Sequence, residues 1–305
     1  MNAPARSSPA ALLTMACAFW GGATVLNKAL LASAPPLALL TLQLTASVVA
    51  LWIVVAVKRA PLPSPRHLIP LLALGLLNPG IAYSLSLMGL ARVSASMTTL
   101  LWASEPLLIV PLAALLLREA VTWRFVAVLT LGLLGVALVV GLIGDLTTGD
   151  SDAGGVILLL LGVLCCALYT VLSRALVGVA DSLPIVAIQQ SAGALYAAAT
   201  LALGTRFSSI HELVALPPAT FATAVVSGLL YYAAAYWLYL TALRSVPAGV
   251  AGAYFNVIPV FGVGFAVIFL GETLTFSQWL GALLIGLSVI GLVRLTPEHP
   301  VPKAT

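Results

Sequence analysis

The sequence reads Leu90-Ala91-Arg92-Val93-Ser94-Ala95 in its first half and Leu243-Arg244-Ser245-Val246-Pro247-Ala248 at the matching place in its second. The same offset brings Tyr83 onto Tyr236, Pro106 onto Pro259 and Glu119 onto Glu272. The starts of the two halves also match, since Asn27-Lys28-Ala29-Leu30 aligns with Ser173-Arg174-Ala175-Leu176. The chain therefore contains an internal repeat, and we expect its halves to adopt similar folds.

Composition places both halves in a membrane. Of the 305 residues, 62% are hydrophobic and only 7% are charged, against roughly 25% charged residues in an ordinary soluble domain. So few charges cannot cover a soluble protein of this size, which excludes a globular cytosolic enzyme and a disordered chain. The cysteines Cys17, Cys165 and Cys166 lie in apolar runs without metal spacing, which excludes a disulfide-stapled secreted domain.

Ten apolar segments are long enough to cross a bilayer, for which a helix needs about 20 residues. Clusters of proline, glycine and charge separate them, and no soluble domain fits between them. The predicted spans are residues 10–32, 37–57, 68–90, 94–117, 123–143, 155–177, 184–204, 218–242, 247–270 and 276–295. The first span is too long for a signal peptide and lacks a small-residue cleavage site, so we expect it to be retained.

The repeat and the span count together predict the fold. Each half carries five spans, and an odd number forces the second half into the opposite orientation. We therefore predict an all-α polytopic membrane protein of ten transmembrane helices, built as two five-helix inverted-topology repeats. The predicted repeats cover residues 1–148 (spans 1–5) and 149–305 (spans 6–10). Secondary transporters are commonly built this way, with the substrate site between the repeats.

Lysine and arginine in short loops predict the orientation. With the N-terminus in the cytoplasm, ten basic residues fall inside, namely Arg6, Lys58, Arg59, Arg66, Arg118, Arg124, Arg174, Arg244, Arg294 and Lys303. Only Lys28, Arg92 and Arg206 fall outside, together with the acidic loop at 144–154. We therefore expect a multi-pass protein of the cell (inner) membrane with both termini in the cytoplasm. The scattered basic residues do not indicate a nucleic-acid partner.

The chain resembles the drug/metabolite transporter superfamily, in its ten-helix branch with two EamA domains. The resemblance rests on Phe19-Trp20-Gly21-Gly22, on the run from Ala91 through Glu105-Pro106 to Leu117-Arg118-Glu119 and Thr122, and on the run from Arg244 through Ile258-Pro259 to Gly271-Glu272 and Thr275. It covers nearly the whole chain. The tryptophan- and tyrosine-rich spans are most similar to the amino-acid exporters, including those for aromatic amino acids. The resemblance implies a secondary transporter with a central cavity between the repeats.

Aromatic and polar side chains that share helix faces, or lie at mid-span, mark the predicted lining of this cavity. Polar groups that meet lipid at this depth are costly, so they should point inward. The predicted lining and substrate-binding residues are Trp20, Asn27, Asn78, Tyr83, Trp102, Glu105, Tyr169, Tyr232, Tyr236, Tyr239, Tyr254 and Asn256. The alternative is that they pack between helices. Trp52, Trp123 and Trp279 instead fit an interfacial aromatic belt.

Glu105 is the only acidic residue deep inside a span. A charge at a helix centre costs about 2.5–3.5 kcal/mol on the insertion scale, so such a residue normally faces a cavity or a partner. Its repeat counterpart is Ile258, which indicates that the fold does not require a carboxylate there. Two interpretations stay open. Glu105 binds a proton or a substrate amine, or its carboxyl group bonds a neighbouring helix.

Several other residues have predicted structural roles. Pro106 and Pro259 should kink spans four and nine in mid-helix and are candidate hinges, with the kink alone as the alternative. Glu119 and Glu272 are interpreted as loop or capping residues. Lys28 and Arg174 occupy equivalent positions and are expected to extend their charged groups towards the membrane surface, although Lys28 could also attract a substrate carboxylate. Spans five and ten, which carry small residues, should pack at the periphery. The glutamines of spans two and seven, Gln43, Gln189 and Gln190, should bond between helices.

No catalytic set is found in the sequence, so the chain is not predicted to be an enzyme. The histidines His67, His211 and His299 are far apart, and neither a phosphate loop nor a metal-ligand cluster is present. We expect no cofactor and no bound metal. The predicted function is export of small metabolites, most of all amino acids, by alternating access. The alternatives are export of other drug-like solutes, a channel, a non-transporting scaffold or an intramembrane enzyme. The expected partners are the solute and the lipid bilayer, and the protein should be a monomer or a homodimer.

Overall fold

A computed structural model describes residues 8–117, 123–140, 152–173, 176, 180–204, 215–243 and 254–295. The described residues form helices and short connections. In chain order the helices are α1 (Pro9–Leu30), α2 (Pro36–Lys58), α3 (Pro65–Leu90), α4a (Ala95–Trp102), α4b (Glu105–Leu117), α5 (Trp123–Val140), α6 (Ala153–Ser173), α7 (Ser182–Gly204), α8 (218–243), α9 (Ile258–Leu270) and α10 (Phe276–Leu295).

The helices confirm the predicted all-α polytopic fold. Six of those described are both long and apolar enough to span a membrane, namely α1, α2, α3, α6, α7 and α8. Shorter apolar helices lie within α5, α9 and α10. The predicted span 94–117 is interrupted, because a turn at 103–104 separates α4a from α4b. In α3, residues 65–67 form a 3-10 turn.

The packing of the helices follows the internal repeat. Helix α2 packs against its repeat counterpart α7, and α5 packs against its counterpart α10. Helix α1 of the first repeat packs against α8 and α9 of the second, and α6 of the second packs against α3 and α4b of the first. The two repeats therefore bury their faces against each other, and the centre of the molecule is built from both.

Two pairs of glycines allow the closest of these contacts. A Cβ atom at Gly281 in α10 would lie 2.6 Å from the carbonyl oxygen of Gly135 in α5. A Cβ atom at Gly21 in α1 would lie 2.7 Å from the amide nitrogen of Gly262 in α9. Small residues let membrane helices approach closely, so van der Waals packing can hold them together. The first pair agrees with the packing role predicted for spans five and ten.

Helices α3 and α8 each widen into a π-helical segment, at Leu76–Ile81 and at Leu229–Ala234. These segments occupy equivalent places in the two repeats. In α3 the backbone at Asn78 leaves helical geometry, with φ −144° and ψ 116°. Irregular backbone at membrane depth is tolerated where it is buried in protein or lines a cavity. The widened segments therefore belong to the interior.

The predicted position of the two prolines is wrong. Pro106 is the second residue of α4b and Pro259 the second residue of α9, so neither lies in the middle of a helix. A turn precedes α4b, and a 3-10 turn at Phe255–Val257 precedes α9. Proline suits the first turn of a helix because the N–H group that it lacks has no partner there in any case. Each proline thus begins a new helical segment after an interruption of its span.

Candidate functional site

The interior holds two groups of aromatic rings, and the first surrounds Trp20 of α1. The Trp20 ring makes edge contacts with Tyr236, Tyr239 and Phe255, with ring centroids 5.4, 5.7 and 5.6 Å apart. Tyr239 and Phe255 also contact each other at 5.0 Å. Edge geometry places the positive rim of one ring against the negative face of another, which stabilises such clusters beyond their burial. The group joins α1 of the first repeat to α8 and the turn before α9.

The second aromatic group surrounds Tyr83 of α3. Its ring stacks on Trp102 at the end of α4a, with centroids 5.6 Å apart and planes at 15°. Tyr231 and Tyr232 of α8 meet the Tyr83 ring edge-on, at 5.3 and 5.2 Å. A hydrogen bond of 2.8 Å between the hydroxyls of Tyr83 and Tyr236 connects the two groups. The rings thus form one continuous cluster that crosses the boundary between the repeats.

A polar network adjoins these rings on the side of α6. The amide nitrogen of Asn78 donates to the Cys166 sulfur at 3.2 Å and lies 3.4 Å from the Tyr236 hydroxyl. Glu105, only 6% exposed, accepts a hydrogen bond of 3.2 Å from the Thr170 hydroxyl. The network therefore brings a carboxyl group, a thiol, an amide and hydroxyls together inside the membrane region.

Tyr169 bonds between helices nearby. Its hydroxyl donates to the side-chain oxygen of Gln189 at 3.0 Å, which links α6 to α7. Gln190, the neighbour of Gln189, donates to the Tyr232 carbonyl at 2.7 Å and accepts from the Ser47 hydroxyl. The interhelical bonds predicted for these glutamines are present.

Asn27 serves to join helices in this structure. Its side-chain oxygen accepts from the Gln43 amide at 2.7 Å and from the Ser227 hydroxyl at 2.6 Å. The Gln43 nitrogen also lies 3.0 Å from the Ser227 hydroxyl oxygen. These three buried side chains come from α1, α2 and α8. The oxygen of Asn27 is therefore occupied by packing contacts at the edge of the aromatic cluster.

A small cavity of about 10 Å³ lies beside the second aromatic group. This volume holds about one water molecule. It is lined by Thr24, Asn27, Tyr83, Ser86, Leu87, Leu90, Thr98, Trp102, Tyr231 and Tyr232. Two nearby polar groups, the Trp20 indole nitrogen and the Tyr232 hydroxyl, are buried without a hydrogen-bond partner. The centre is thus closed in this structure but retains unused hydrogen-bonding capacity.

The structure places most of the predicted lining residues in the aromatic cluster or in the polar network. The aromatic cluster unites Trp20, Tyr83, Trp102, Tyr232, Tyr236 and Tyr239. Asn78, Glu105 and Tyr169 lie in or beside the polar network, whereas Asn27 joins helices. Tyr254 is half-buried, and its backbone carbonyl accepts from the Cys17 thiol at 3.1 Å. The side chain of Asn256 lies outside the part of the chain that the structure describes.

Four interior residues were absent from the sequence prediction. Tyr231 and Ser86 line the small cavity, Phe255 contacts Trp20, and Thr170 bonds to Glu105. Tyr231 precedes Tyr232 directly, so regular helical spacing would place only one of the two on the inner face. Both are buried because they lie in the widened segment Leu229–Ala234. In the sequence, the one indication that Tyr231 faces the interior is that it lies next to another tyrosine in the middle of a span.

The described residues contain no group of three or more histidine, cysteine or carboxylate side chains that could hold a metal ion. Among the described residues of the centre, Glu105 lies beside the Cys166 thiol. Two such groups without further ligands do not make a metal site. The chemistry that this arrangement supports is noncovalent, through aromatic faces, hydroxyls, one amide and one carboxyl group.

Comparisons with known proteins agree with the fold and the repeat. The model of the EamA-like transporter family matches the chain twice, at residues 8–141 and again at 153–294. The chain therefore belongs to the EamA-like transporter family. This assignment confirms the resemblance to transporters with two EamA domains and the membrane-transporter class, and it places the chain among multi-pass membrane proteins.

Individual relatives carry equally general descriptions. An uncharacterized transporter of Bacillus subtilis, YvbV, is 29% identical over 286 residues, which are 93% of this chain and 91% of the relative. An uncharacterized transporter of Haemophilus influenzae is 47% identical over 57 residues, 17% of this chain and 34% of that protein. A solved crystal structure superposes with a TM-score of 0.66 at 17% identity, over 95% of this chain and 99% of its own. This last similarity concerns the fold.

Proposed function

We propose that this EamA-family protein is a secondary exporter of small metabolites, above all amino acids and including aromatic ones. Transport proceeds by alternating access through the centre between the repeats. The observation that carries the proposal is the aromatic cluster, because Trp20, Tyr83 and Trp102 of the first repeat meet Tyr232 and Tyr236 of the second. A site built from both repeats changes shape whenever one repeat moves against the other.

The chemistry of the centre suits a small amphipathic zwitterion. Aromatic faces offer apolar and edge contacts to a side chain, while the unpartnered Trp20 nitrogen and Tyr232 hydroxyl can bond to a carboxylate. Glu105 is the acidic group available to a substrate amine. A phosphorylated solute would require several cations at this depth. The interior described here presents none, since Lys28 bonds to backbone carbonyls at one end of the centre.

Because the centre is closed in this structure, a solute can enter it only when helices move apart. A cavity of about 10 Å³ is far smaller than the roughly 300–1,000 Å³ of typical ligand pockets. The interrupted spans α4a–α4b and α9, together with the widened α3 and α8, give each repeat two irregular helices at the centre. We assign the opening motion to these four. Pro106 and Pro259 retain a proposed hinge role at the starts of α4b and α9.

The cellular setting belongs to the same proposal. An exporter of cytoplasmic metabolites would lie in the inner membrane. The excess of basic residues in the loops predicted to lie inside supports cytoplasmic termini. The boundary between the proposed repeats, after residue 148, falls between the two family matches, which end at 141 and begin at 153. The centre is formed within one chain, so a monomer suffices for transport, and a homodimer would hold two independent centres.

Counterflow in proteoliposomes tests the proposal. The full-length protein is reconstituted with one unlabelled amino acid inside, and uptake of the labelled form is followed for a panel of twenty amino acids and several drug-like amines. We expect saturable counterflow of at least one amino acid, with aromatic members among the best. Protein-free liposomes are the control. Counterflow of drug-like amines alone would instead support export of other solutes, and linear, non-saturating flux would indicate a channel.

A further inference from the structure

Glu272 of the second repeat binds the first turn of α4a in the first repeat. Its two carboxylate oxygens accept the backbone N–H groups of Ala95 at 2.7 Å and Ser96 at 2.8 Å. The Ser94 hydroxyl oxygen accepts the next N–H group, that of Met97, at 3.0 Å. The first N–H groups of a helix lack partners within the helix and carry positive partial charge. The start of α4a therefore depends on a carboxylate from the opposite repeat.

Lys28 of α1 holds the preceding residues from the other side. Its ammonium group donates to the carbonyl of Leu90 at 3.0 Å and to the carbonyl of Val93 at 2.6 Å. Leu90 ends α3, where a helix carries negative partial charge. The Lys28 and Glu272 charges also attract each other. The segment 90–96 is thus clamped between a cation and an anion.

This clamped segment closes one end of the centre. Leu87 precedes the segment, Leu90 is its first residue and Thr98 follows it, and all three line the small cavity. Leu90, Val93 and Ala95 are buried, with at most 4% of their surface exposed. A solute could pass this end only if the segment moved away from α1 and from the loop that carries Glu272.

We propose that Lys28 and Glu272 form a latch that closes this face of the transporter. This inference rests on the proposed alternating-access transport. The latch is made while this face is closed and is released when the face opens. Charge-assisted hydrogen bonds suit this purpose because they are stronger than neutral ones and still break when water enters.

Accessibility of a single cysteine tests the latch. The protein carries Thr98→Cys as the reporter in a background with Cys17, Cys165 and Cys166 replaced by alanine, and is reconstituted in vesicles. A membrane-impermeant maleimide is added at the face of Lys28 and its reaction rate is measured. We expect Glu272→Gln and Lys28→Met each to raise this rate about tenfold, the size of effect that loss of charged hydrogen bonds produces. The matched control is Glu119→Gln, which removes the carboxylate at the equivalent position of the first repeat, and it should leave this rate unchanged.

The outcomes separate the latch from the proposed function. An unchanged labelling rate in both folded variants would overturn the latch. An equal increase of the rate at the Lys28 face in Glu119→Gln would overturn it as well. Gel filtration and thermal unfolding verify folding, and Lys28→Met carries the comparison alone if Glu272→Gln aggregates. Labelling requires no solute. If labelling changes as expected but the protein with native Thr98 shows no amino-acid counterflow, the proposed substrate is contradicted and the latch is not.

Discussion

Tyr236 shows at the scale of single residues how the two repeats share one centre. Its hydroxyl lies 2.8 Å from that of Tyr83, its own repeat counterpart, and 3.4 Å from the amide of Asn78. Its ring contacts Trp20 edge-on. Equivalent residues of two inverted repeats contact each other near the symmetry axis that relates the repeats. The central axis of the molecule therefore runs close to these two hydroxyls.

Truncating the rings of the cluster should impair transport. We expect Trp102→Ala and Tyr236→Ala each to lower the rate of amino-acid counterflow about tenfold, because an aromatic contact contributes about 0.5–1.5 kcal/mol beyond its burial. Trp279→Ala is the matched control, since Trp279 is 57% exposed on α10, and it should transport normally. Normal counterflow by both central variants, at equal protein per vesicle, would show that these rings only pack.

Glu105 is the residue on which proton coupling depends in this proposal. Glu105→Gln keeps the shape and the Thr170 contact but fixes the neutral state. We expect the variant to exchange amino acids in counterflow while its net transport no longer responds to an imposed pH gradient. Thr170→Val is the control, because it removes the hydrogen bond of 3.2 Å and leaves the carboxyl group. A nearly silent Glu105→Gln variant would mean that Glu105 only holds helices, and a wild-type protein that ignores the gradient would indicate facilitated diffusion.

At the scale of helices, the interrupted and widened segments set the centre apart from the periphery. Helices α3 and α8, the pair α4a–α4b and the approach to α9 are irregular, whereas α5 and α10 are uninterrupted and pack against each other. Irregular backbone exposes carbonyl and N–H groups that can bond to a solute, and it permits bending. Continuous helices joined through glycines suit a rigid frame.

A bulky residue at the glycine contact of this frame should destabilise the protein. Gly281→Leu would force its side chain against the Gly135 carbonyl, 2.6 Å from an added Cβ atom. We expect it to lower the free energy of unfolding by about 1–3 kcal/mol, the usual cost of overpacking. Gly286→Leu on the same helix is the control, because an added Cβ atom there meets nothing within 4 Å. Thermal unfolding of both purified variants gives the comparison. Equal melting temperatures would contradict the close approach.

At the scale of the whole molecule, orientation is tested through the loop at 144–154. Only its last residues lie within the described part of the chain, so the prediction rests on the charge bias. Asp150→Cys in a cysteine-free background should react with an impermeant maleimide added outside intact cells. A cysteine at Thr305 should react only after the membrane is opened, since both termini are predicted to be cytoplasmic. Labelling of Asp150→Cys from the cytoplasmic side alone would contradict the inverted-repeat topology.

The sequence alone determined the fold class, the repeat and the aromatic character of the centre. A bilayer leaves few ways to satisfy backbone hydrogen bonds, so composition and span length suffice to predict a helical membrane protein. Residues such as Trp20 and Tyr236 could be predicted because helical spacing identifies a polar or aromatic face within one span. These are properties of a helix taken by itself.

Only the tertiary structure decided which partners the side chains have. Glu272 caps a helix that begins 177 residues away in the other repeat, and Asn27 bonds to Gln43 and Ser227, although nothing in the sequence marks these pairs. The π-helical segment in α8 turns Tyr231 inward with Tyr232, which regular helical spacing cannot predict. Both effects arise when the repeats pack, because a contact between distant segments depends on the position of whole helices and a local widening changes which residues face the interior.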